Sequence, residues 1–453
     1  MHNNLLHKDY KIEKGEVLEG SALLKKQDNN TSRVKYMINN INHNKAFAEF
    51  FLKKYKDKKI AKQNFIQKFV KYRTSWNDLP KYLIENKYDN KRMEKESVAP
   101  LCLDIETASI CDLACPFCFR EYLATPDKII DEKTCYNLID QAVKLGIPSI
   151  KFNWRGEPLL HPKLPDFIKY AKQNGILETM INTNATNLNE KMSNKLIDSG
   201  LDFLIYSFDG GTKETYEKMR PGRFGKNSFD KVYNNIVNFS KIKKSRGDKF
   251  PYTKIQMILT EDTHKEKDQF FNLFKNYVDD VSVSQYTERG GKLTDLDEES
   301  QSIYYHLLLK HNMPKGTPYM KDAFGNIKLS GGRKPCEQPF QRLLVTYEGR
   351  VAMCCYDWGA SYPVGYTSSQ AFNNDEDYNK ILNNVKNNKK GFELLKNIKK
   401  SKNFNEPKKE VLNLKEIWYG DEIGKVRDFH IMNKGDDINI CSKCSFKDVY
   451  RWL

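Results

Sequence analysis

The segment Cys111-Asp112-Leu113-Ala114-Cys115-Pro116-Phe117-Cys118 sets three thiols in a C-x3-C-x2-C spacing, with an aromatic residue directly before the last. Thiolates are the usual ligands of iron–sulfur clusters, and three this close suit three corners of a 4Fe–4S cubane. No fourth cysteine follows nearby, so one iron would stay open to another ligand. An open iron beside an apolar strand suits reductive chemistry on a small cofactor. A zinc site would instead be completed by a fourth Cys or His close by, and the segment offers none.

The chain has 10 Cys in 453 residues. Cys336, Cys354, Cys355, Cys441 and Cys444 form a second group. Cys102 lies in an apolar run and Cys135 in a helical pattern, and both read as small buried hydrophobes. No apolar run near Met1 reads as a signal peptide, and no stretch approaches the ~18 apolar residues of a membrane span. We therefore expect a cytoplasmic protein with no membrane partner, whose grouped thiols stay reduced and serve metal. The formal net charge is +16, spread along a chain rich in Lys and Asn. Spread lysine points to solvated surface; a nucleic-acid-binding tail would gather its charge in a block. An anionic small molecule is a substrate that such a charge would suit.

These residues need elements to hold them. Residues 1–98 are polar, and Phe47, Phe50, Phe51 and Tyr55 recur at helical spacing, as do Phe65, Phe69 and Tyr72. They predict a helical extension that packs on the next domain. Over 99–300 strands and helices alternate. Strands are predicted at Leu101–Glu106, Ser149–Trp154, Glu178–Asn182, Asp202–Phe208, Lys254–Leu259 and Val281–Gln285, with helices at Glu132–Leu145, after Pro162 and at Glu190–Asp198. Such alternation implies a parallel sheet with right-handed crossovers, and in barrel-like folds the chemistry lies at the strands' C-terminal ends. Gly290–Arg333 reads as loop-rich with one helical segment, and the C-terminal domain, 301–453, then carries a hairpin turning at Glu348-Gly349. An Asn/Lys-rich insertion is read at about 366–412, then a helix from Leu414 to about Asn433.

The cysteine motif resembles that of the radical S-adenosylmethionine (SAM) enzymes. Further segments resemble the family's motifs in the family's order. Asn153-Trp154-Arg155-Gly156-Glu157-Pro158 is similar to its Gly-Gly-Glu-Pro motif, with Arg155 where the first glycine stands. Thr183-Asn184-Ala185 is similar to its Thr-Asn-Gly segment, and Ser207-Phe208-Asp209-Gly210 with Arg220 to its Ser-x-Asp-Gly…Arg arrangement. The resemblance implies a partial (β/α)6 barrel of the α/β class. Cys111, Cys115 and Cys118 would hold a 4Fe–4S cluster, and Gly156, Glu157, Pro158, Thr183, Asn184, Ser207 and Arg220 would bind SAM. A guanidinium fork matches the SAM carboxylate. Asp209 is read as the cap of the next helix, and His161 as structural.

Cys336, Gly349 and Cys354 resemble the opening of the twitch and SPASM domains, with Cys441-Ser442-Lys443-Cys444 supplying a later pair. Leu414–Trp418, Arg427 and His430 are similar to that domain's helix. Cys336, Cys354, Cys441 and Cys444 would fully ligate a second, auxiliary 4Fe–4S cluster. With no cysteine after Cys444 the domain reads as shortened and twitch-like. A zinc ribbon also suits two separated cysteine pairs. Cys355 could replace Cys354 as ligand, stay a passive thiol or return hydrogen to a substrate radical, and Asp357 could act as general base or close a turn.

The expected function is a radical SAM oxidoreductase. It would cleave SAM to a 5′-deoxyadenosyl radical and abstract hydrogen from a small molecule, a sugar or nucleotide-sugar by analogy, in a dehydrogenation or epimerisation. A flavodoxin or ferredoxin-type donor would supply the electron. The alternatives are a peptide- or protein-modifying, maturase-like enzyme and, from another class, a non-enzymatic zinc or nucleic-acid-binding protein. The latter lacks a basic module interleaved with aromatics.

Overall fold

A computed structural model describes residues 30–118, 120, 126–260, 262–285, 319–321, 327–329, 335–360, 362–373, 407–442 and 444. Most of the expected insertion and most of Gly290–Arg333, read as loop-rich with one helical segment, lie outside the described residues.

Six parallel strands follow one another in space as in sequence. They are β1 (Cys102–Ile105), β2 (Ser149–Lys151), β3 (Glu178–Thr183), β4 (Phe203–Ser207), β5 (Tyr252–Leu259) and β6 (Asp280–Gln285). A separate hairpin, β7 (Tyr319–Lys321) and β8 (Ile327–Leu329), stands in the stretch read as loop. The main sheet continues past β1 with β9 (Arg342–Val345), β10 (Arg350–Ala352) and β11 (Pro363–Tyr366), nine strands in the order β11-β10-β9-β1-β2-β3-β4-β5-β6. β6 and β11 stand at its two ends, so the sheet does not close among the described residues. The cysteine-rich C-terminal part thus shares its sheet with the core, because β9 pairs in parallel with β1 from Cys102↔Arg342 to Ile105↔Val345.

Period-2 alternation sorts each strand's side chains. Leu103, Ile105, Ile181, Leu204, Tyr206 and Ile255 face the helices and form the main core. Cys102, Met180 and Phe203 face inward, with Ile205 and Tyr252 beside them. The helices behave as their caps require. Asp131 caps the helix Glu132–Leu145 through Thr134 N–H, and Gly146 closes it in the left-handed conformation (φ 80°).

Residues 30–98 close the end of the barrel where the strands begin. Helix α1 (Asn30–Asn39) and helix α2 (Lys58–Glu85) pack an aromatic cluster of Phe47, Phe51, Phe65, Phe69 and Tyr72 against Leu101, Leu177 and Phe250, each just ahead of a strand. Glu178, the first residue of β3, takes Arg33 at 2.6 Å, the Tyr72 hydroxyl at 2.9 Å and Arg73 at 3.4 Å. Asp202, ahead of β4, takes Lys172 at 2.5 Å and Thr179 N–H at 2.8 Å. Trp76 reaches the inward cluster of Cys102, Met180 and Phe203, with the Arg342 guanidinium 4.9 Å above its ring. The aromatic stripes therefore do the packing their spacing predicted, and the region forms a floor.

Candidate active site and auxiliary cysteine group

The loop after β1 carries Cys111, Cys115 and Cys118, and backbone pairing holds it at the strands' C-terminal end. Glu157 N–H donates to the Ile110 carbonyl at 2.8 Å, Ala114 N–H to that of Pro221 at 2.9 Å, and Arg223 N–H to that of Asp112 at 2.8 Å. Gly156 has φ +64°, and a Cβ there would stand 2.5 Å from the Ala108 carbonyl oxygen and 2.6 Å from that of Ile110. Only glycine lets these segments approach so closely.

Glu157 is buried, and its carboxylate accepts from the Thr183 hydroxyl at 2.6 Å, Asn184 N–H at 2.7 Å and Leu159 N–H at 3.1 Å. Asn184 in turn donates to Asp112 at 2.8 Å, as does the Thr186 hydroxyl at 2.5 Å. The Gly-Glu-Pro segment, the Thr-Asn segment and the cysteine loop therefore form one hydrogen-bonded unit. Ser207 ends β4 on its inward face. On the inward face of β3, Asn182 Oδ1 is a buried acceptor with no protein donor among the described residues, available to a ligand in the barrel.

Burial pushes the Glu157 carboxyl up to about 7, against the opposing pull of its hydrogen bonds. A carboxyl that holds its proton more tightly folded than unfolded stabilises the fold while protonated. That stabilisation is full below the ordinary carboxyl range and is lost as pH rises through about 7. The melting temperature of SAM-free wild type should therefore fall relative to that of Glu157→Gln between about pH 5 and about pH 7. Two parallel curves would contradict this.

Arg220 lies over the cysteine loop, its guanidinium 5.8 Å from the Phe117 ring. It pairs with Asp209 at 2.6 and 2.8 Å, both side chains buried. Asp209 also accepts Ile258 N–H at 2.6 Å. The expected role of Asp209 as a helix cap is corrected: Thr212 caps the helix Lys213–Met219 through Thr215 N–H, and Asp209 is held by the arginine's charge. His161 is structural as read, with Nε2 3.0 Å from the Ile130 carbonyl.

The donor chemistry fits an iron–sulfur cluster. Burial raises the Cys111 thiol far above its ordinary range and pushes Cys115 up to about 12, with Arg220 opposing the rise at Cys115. Cys115 is buried and Cys111 half-buried, and thiols raised this way need a metal's charge to ionise. Among the described residues no three His, Cys, Asp or Glu stand close enough for a single metal ion. A cubane spreads its thiolates further apart than one ion does. Cys336, Cys354, Cys441 and Cys444 are all buried, and Cys354 feels Cys441 and Cys444, as Cys336 does.

This second group departs from the expectation that every motif lies at the strands' C-terminal ends. Cys336 precedes β9 and Cys354 follows β10, so both stand opposite the Glu348-Gly349 turn, at the end where β1 begins. The four residues of β1 put roughly 13 Å of strand between the two cysteine groups. From Cys354 the chain folds back over the inner face of β9 and β10. Trp154 packs there on Leu344, Ala352 and Ala360, and its indole N–H donates to the Cys355 carbonyl at 2.9 Å. Arg155 donates to the Trp358 carbonyl at 3.0 Å and to both oxygens of Glu106 at 2.7 and 2.9 Å. Sequence reasoning missed this latch, although an arginine in a glycine's place was its signal. Cys355 Sγ lies 3.3 Å from Gln338 Oε1. Asp357 is buried, and its carboxylate accepts Tyr362 N–H at 2.8 Å, the geometry of a turn-closing residue.

Two family profiles match the chain. The radical SAM superfamily profile matches residues 105–272, and the SPASM profile, described as an iron–sulfur cluster-binding domain, matches residues 336–445. The chain belongs to the radical SAM superfamily. The 4Fe–4S cluster, SAM and auxiliary iron–sulfur chemistry come with these two domains. This radical SAM enzyme is 31% identical to the GTP 3′,8-cyclase of Chlorobaculum tepidum over 121 residues, 26% of this chain and 36% of that one. It is 23% identical to the mycofactocin maturase MftC of Mycolicibacterium smegmatis over 226 residues, 49% of this chain and 55% of that one. The match thus spans about a third to a half of these relatives. Among solved structures, Streptococcus suis SuiB bound to precursor peptide SuiA aligns with a TM-score of 0.46 at 15% identity, covering 81% of this chain and 72% of that one. BtrN in complex with AdoMet and 2-DOIA aligns at 0.38 and 15%, covering 76% and 92%. No described helix is long and apolar enough to cross a membrane.

Proposed function

We propose that this radical SAM enzyme modifies a side chain within a peptide or protein by abstracting hydrogen from carbon. The observation that carries the reading is the layout of the barrel: floored by residues 30–98, with no strand joining β6 to β11 among the described residues, and with cysteine groups at both ends of β1. A lateral opening lets one residue of a longer chain reach the interior while its neighbours stay outside. The likeness to a maturase supports the same reading. A sugar or nucleotide-sugar, the substrate first expected, has less behind it. A peptide would not approach through residues 30–98, whose apolar faces are spent on the barrel.

Cys111, Cys115 and Cys118 would hold the first cluster, and Cys336, Cys354, Cys441 and Cys444 the auxiliary one. Bound there, cluster and SAM supply the reductive cleavage that yields a 5′-deoxyadenosyl radical. Thr183, Asn184 and Glu157 would fix the loop beside the SAM amino acid, Gly156 and Pro158 would shape its turn, and Ser207 and Arg220 would bind the SAM carboxylate. Arg220→Ala should weaken SAM binding about tenfold or more, since a charge-assisted pair is lost, and Ser207→Ala less. Equilibrium binding of SAM to the reconstituted protein checks this; unchanged affinity in Arg220→Ala would remove that residue from the site. Cys355 is the candidate for returning hydrogen. Asp357, spent on its own turn, is the weaker candidate for a base.

The deciding experiment feeds reduced enzyme and SAM either with peptides encoded beside its gene or with nucleotide-sugars. Faster 5′-deoxyadenosine release with a peptide, together with a mass change in that peptide, is expected. Stimulation by nucleotide-sugars alone would sink the proposal.

A further inference from the structure

Helix α3 (Asn90–Lys95), helix α4 (Gln338–Gln341) and helix α5 (Asp421–Ile431) meet beside the second cysteine group. Arg427 ties them together. It donates to the Pro339 carbonyl at 3.0 Å, the Trp418 carbonyl at 2.7 Å and Asn90 Oδ1 at 2.6 Å. One turn further along, His430 is 1% exposed, and both its ring nitrogens meet the cysteines. Cys336 N–H donates to Nδ1 at 3.4 Å. Nε2 lies 3.5 Å from Cys441 Sγ. A ring nitrogen that accepts a backbone N–H carries no proton, so in neutral imidazole the proton sits on the other. Nε2–H then aims at the Cys441 sulfur.

We infer that His430 is a positioning residue of the auxiliary cluster, and that its Nε2–H···S hydrogen bond raises the potential at which that cluster accepts an electron. The inference rests on Cys336, Cys354, Cys441 and Cys444 being the cluster's ligands. One-electron reduction adds negative charge, part of it on the thiolate sulfurs. A donor aimed at a sulfur stabilises the reduced form more than the oxidised one, which is how hydrogen bonds tune such clusters. The contact from Cys336 N–H fixes the tautomer, so the donor is in place before the electron arrives.

The test uses the full chain with Cys111, Cys115 and Cys118 replaced by alanine, so that one cluster is followed by EPR during a redox titration. His430→Phe should leave about tenfold less reduced cluster at a fixed potential, a downward shift of about 59 mV for one electron. His430→Gln keeps an amide donor of similar reach and should stay near wild type. Iron at about four per chain in both variants reports an intact ligand set; its loss from the parent would count against the ligand assignment instead. An intact cluster at the parent's potential in His430→Phe overturns the inference. If His430→Phe loses its cluster, pulsed EPR of the ¹⁵N-histidine-labelled parent decides. A weak nitrogen coupling that vanishes in His430→Gln is expected. No coupling, or the strong coupling of an iron-bound nitrogen, overturns it.

Discussion

Replacing Cys111, Cys115 and Cys118 together by alanine should abolish SAM cleavage and lower the iron of the anaerobically reconstituted protein from about eight to about four per chain. With dithionite and SAM, the variant should release no 5′-deoxyadenosine above background, while the auxiliary group keeps its iron. The separation rests on geometry, since a whole strand divides the two groups and they share no residue. The loop's hydrogen bonds to Pro221, Arg223, Asn184 and Glu157 run through backbone and the Asp112 carboxylate, so removing the thiols should leave the fold intact. Stoichiometric zinc in place of iron in the parent protein would overturn the cluster assignment at both sites.

Replacing Arg155 by alanine should cost about 3–5 kcal/mol, the range for a buried charge that loses its partner. Glu106 is fully buried against it, and its carboxylate also accepts Tyr347 N–H at 3.3 Å. Glu106→Gln should cost a similar amount, leaving the guanidinium uncompensated. The double variant Glu106→Gln/Arg155→Ala should recover part of the loss. Urea unfolding of the four proteins under anaerobic conditions gives the cycle. Single-variant losses that add up in the double variant would mean that the pair is not coupled. Because Arg155 also holds the Trp358 carbonyl, the single variant should loosen residues 354–358 as well, visible as faster amide exchange there.

Much of this was legible in the sequence because periodicity and spacing are local. Six strands, the helix Glu132–Leu145 and the hairpin at Glu348-Gly349 follow from alternation, caps and turn residues within a few positions. The motif order along the chain pointed to one end of the sheet, and the core motifs do converge there. What was not legible depends on pairing across long separations. Nothing near Arg342 announces that β9 lies parallel to β1, yet that pairing sends Cys336 and Cys354 to the far end. Arg155 could be noticed as an oddity, but its partners, Glu106 and the Trp358 carbonyl, lie 49 and 203 residues away. Asp209 stands beside a helix start and carries a favoured capping side chain, so local rules assigned it a cap. Arg220, 11 residues on, offered a stronger electrostatic bond and took it.

The shared sheet also bears on how the chain comes into being. Arg342 bonds Asp104 across 238 residues. As the chain leaves the ribosome, β2 to β6 can zip onto one side of β1 while its other side waits for a strand not yet made. An unpaired strand edge invites the wrong neighbour, and contacts so distant in sequence close late. The nascent protein therefore passes through a vulnerable interval. It ends when β9 docks, and sheltering that edge until then would govern how much active enzyme a cell obtains.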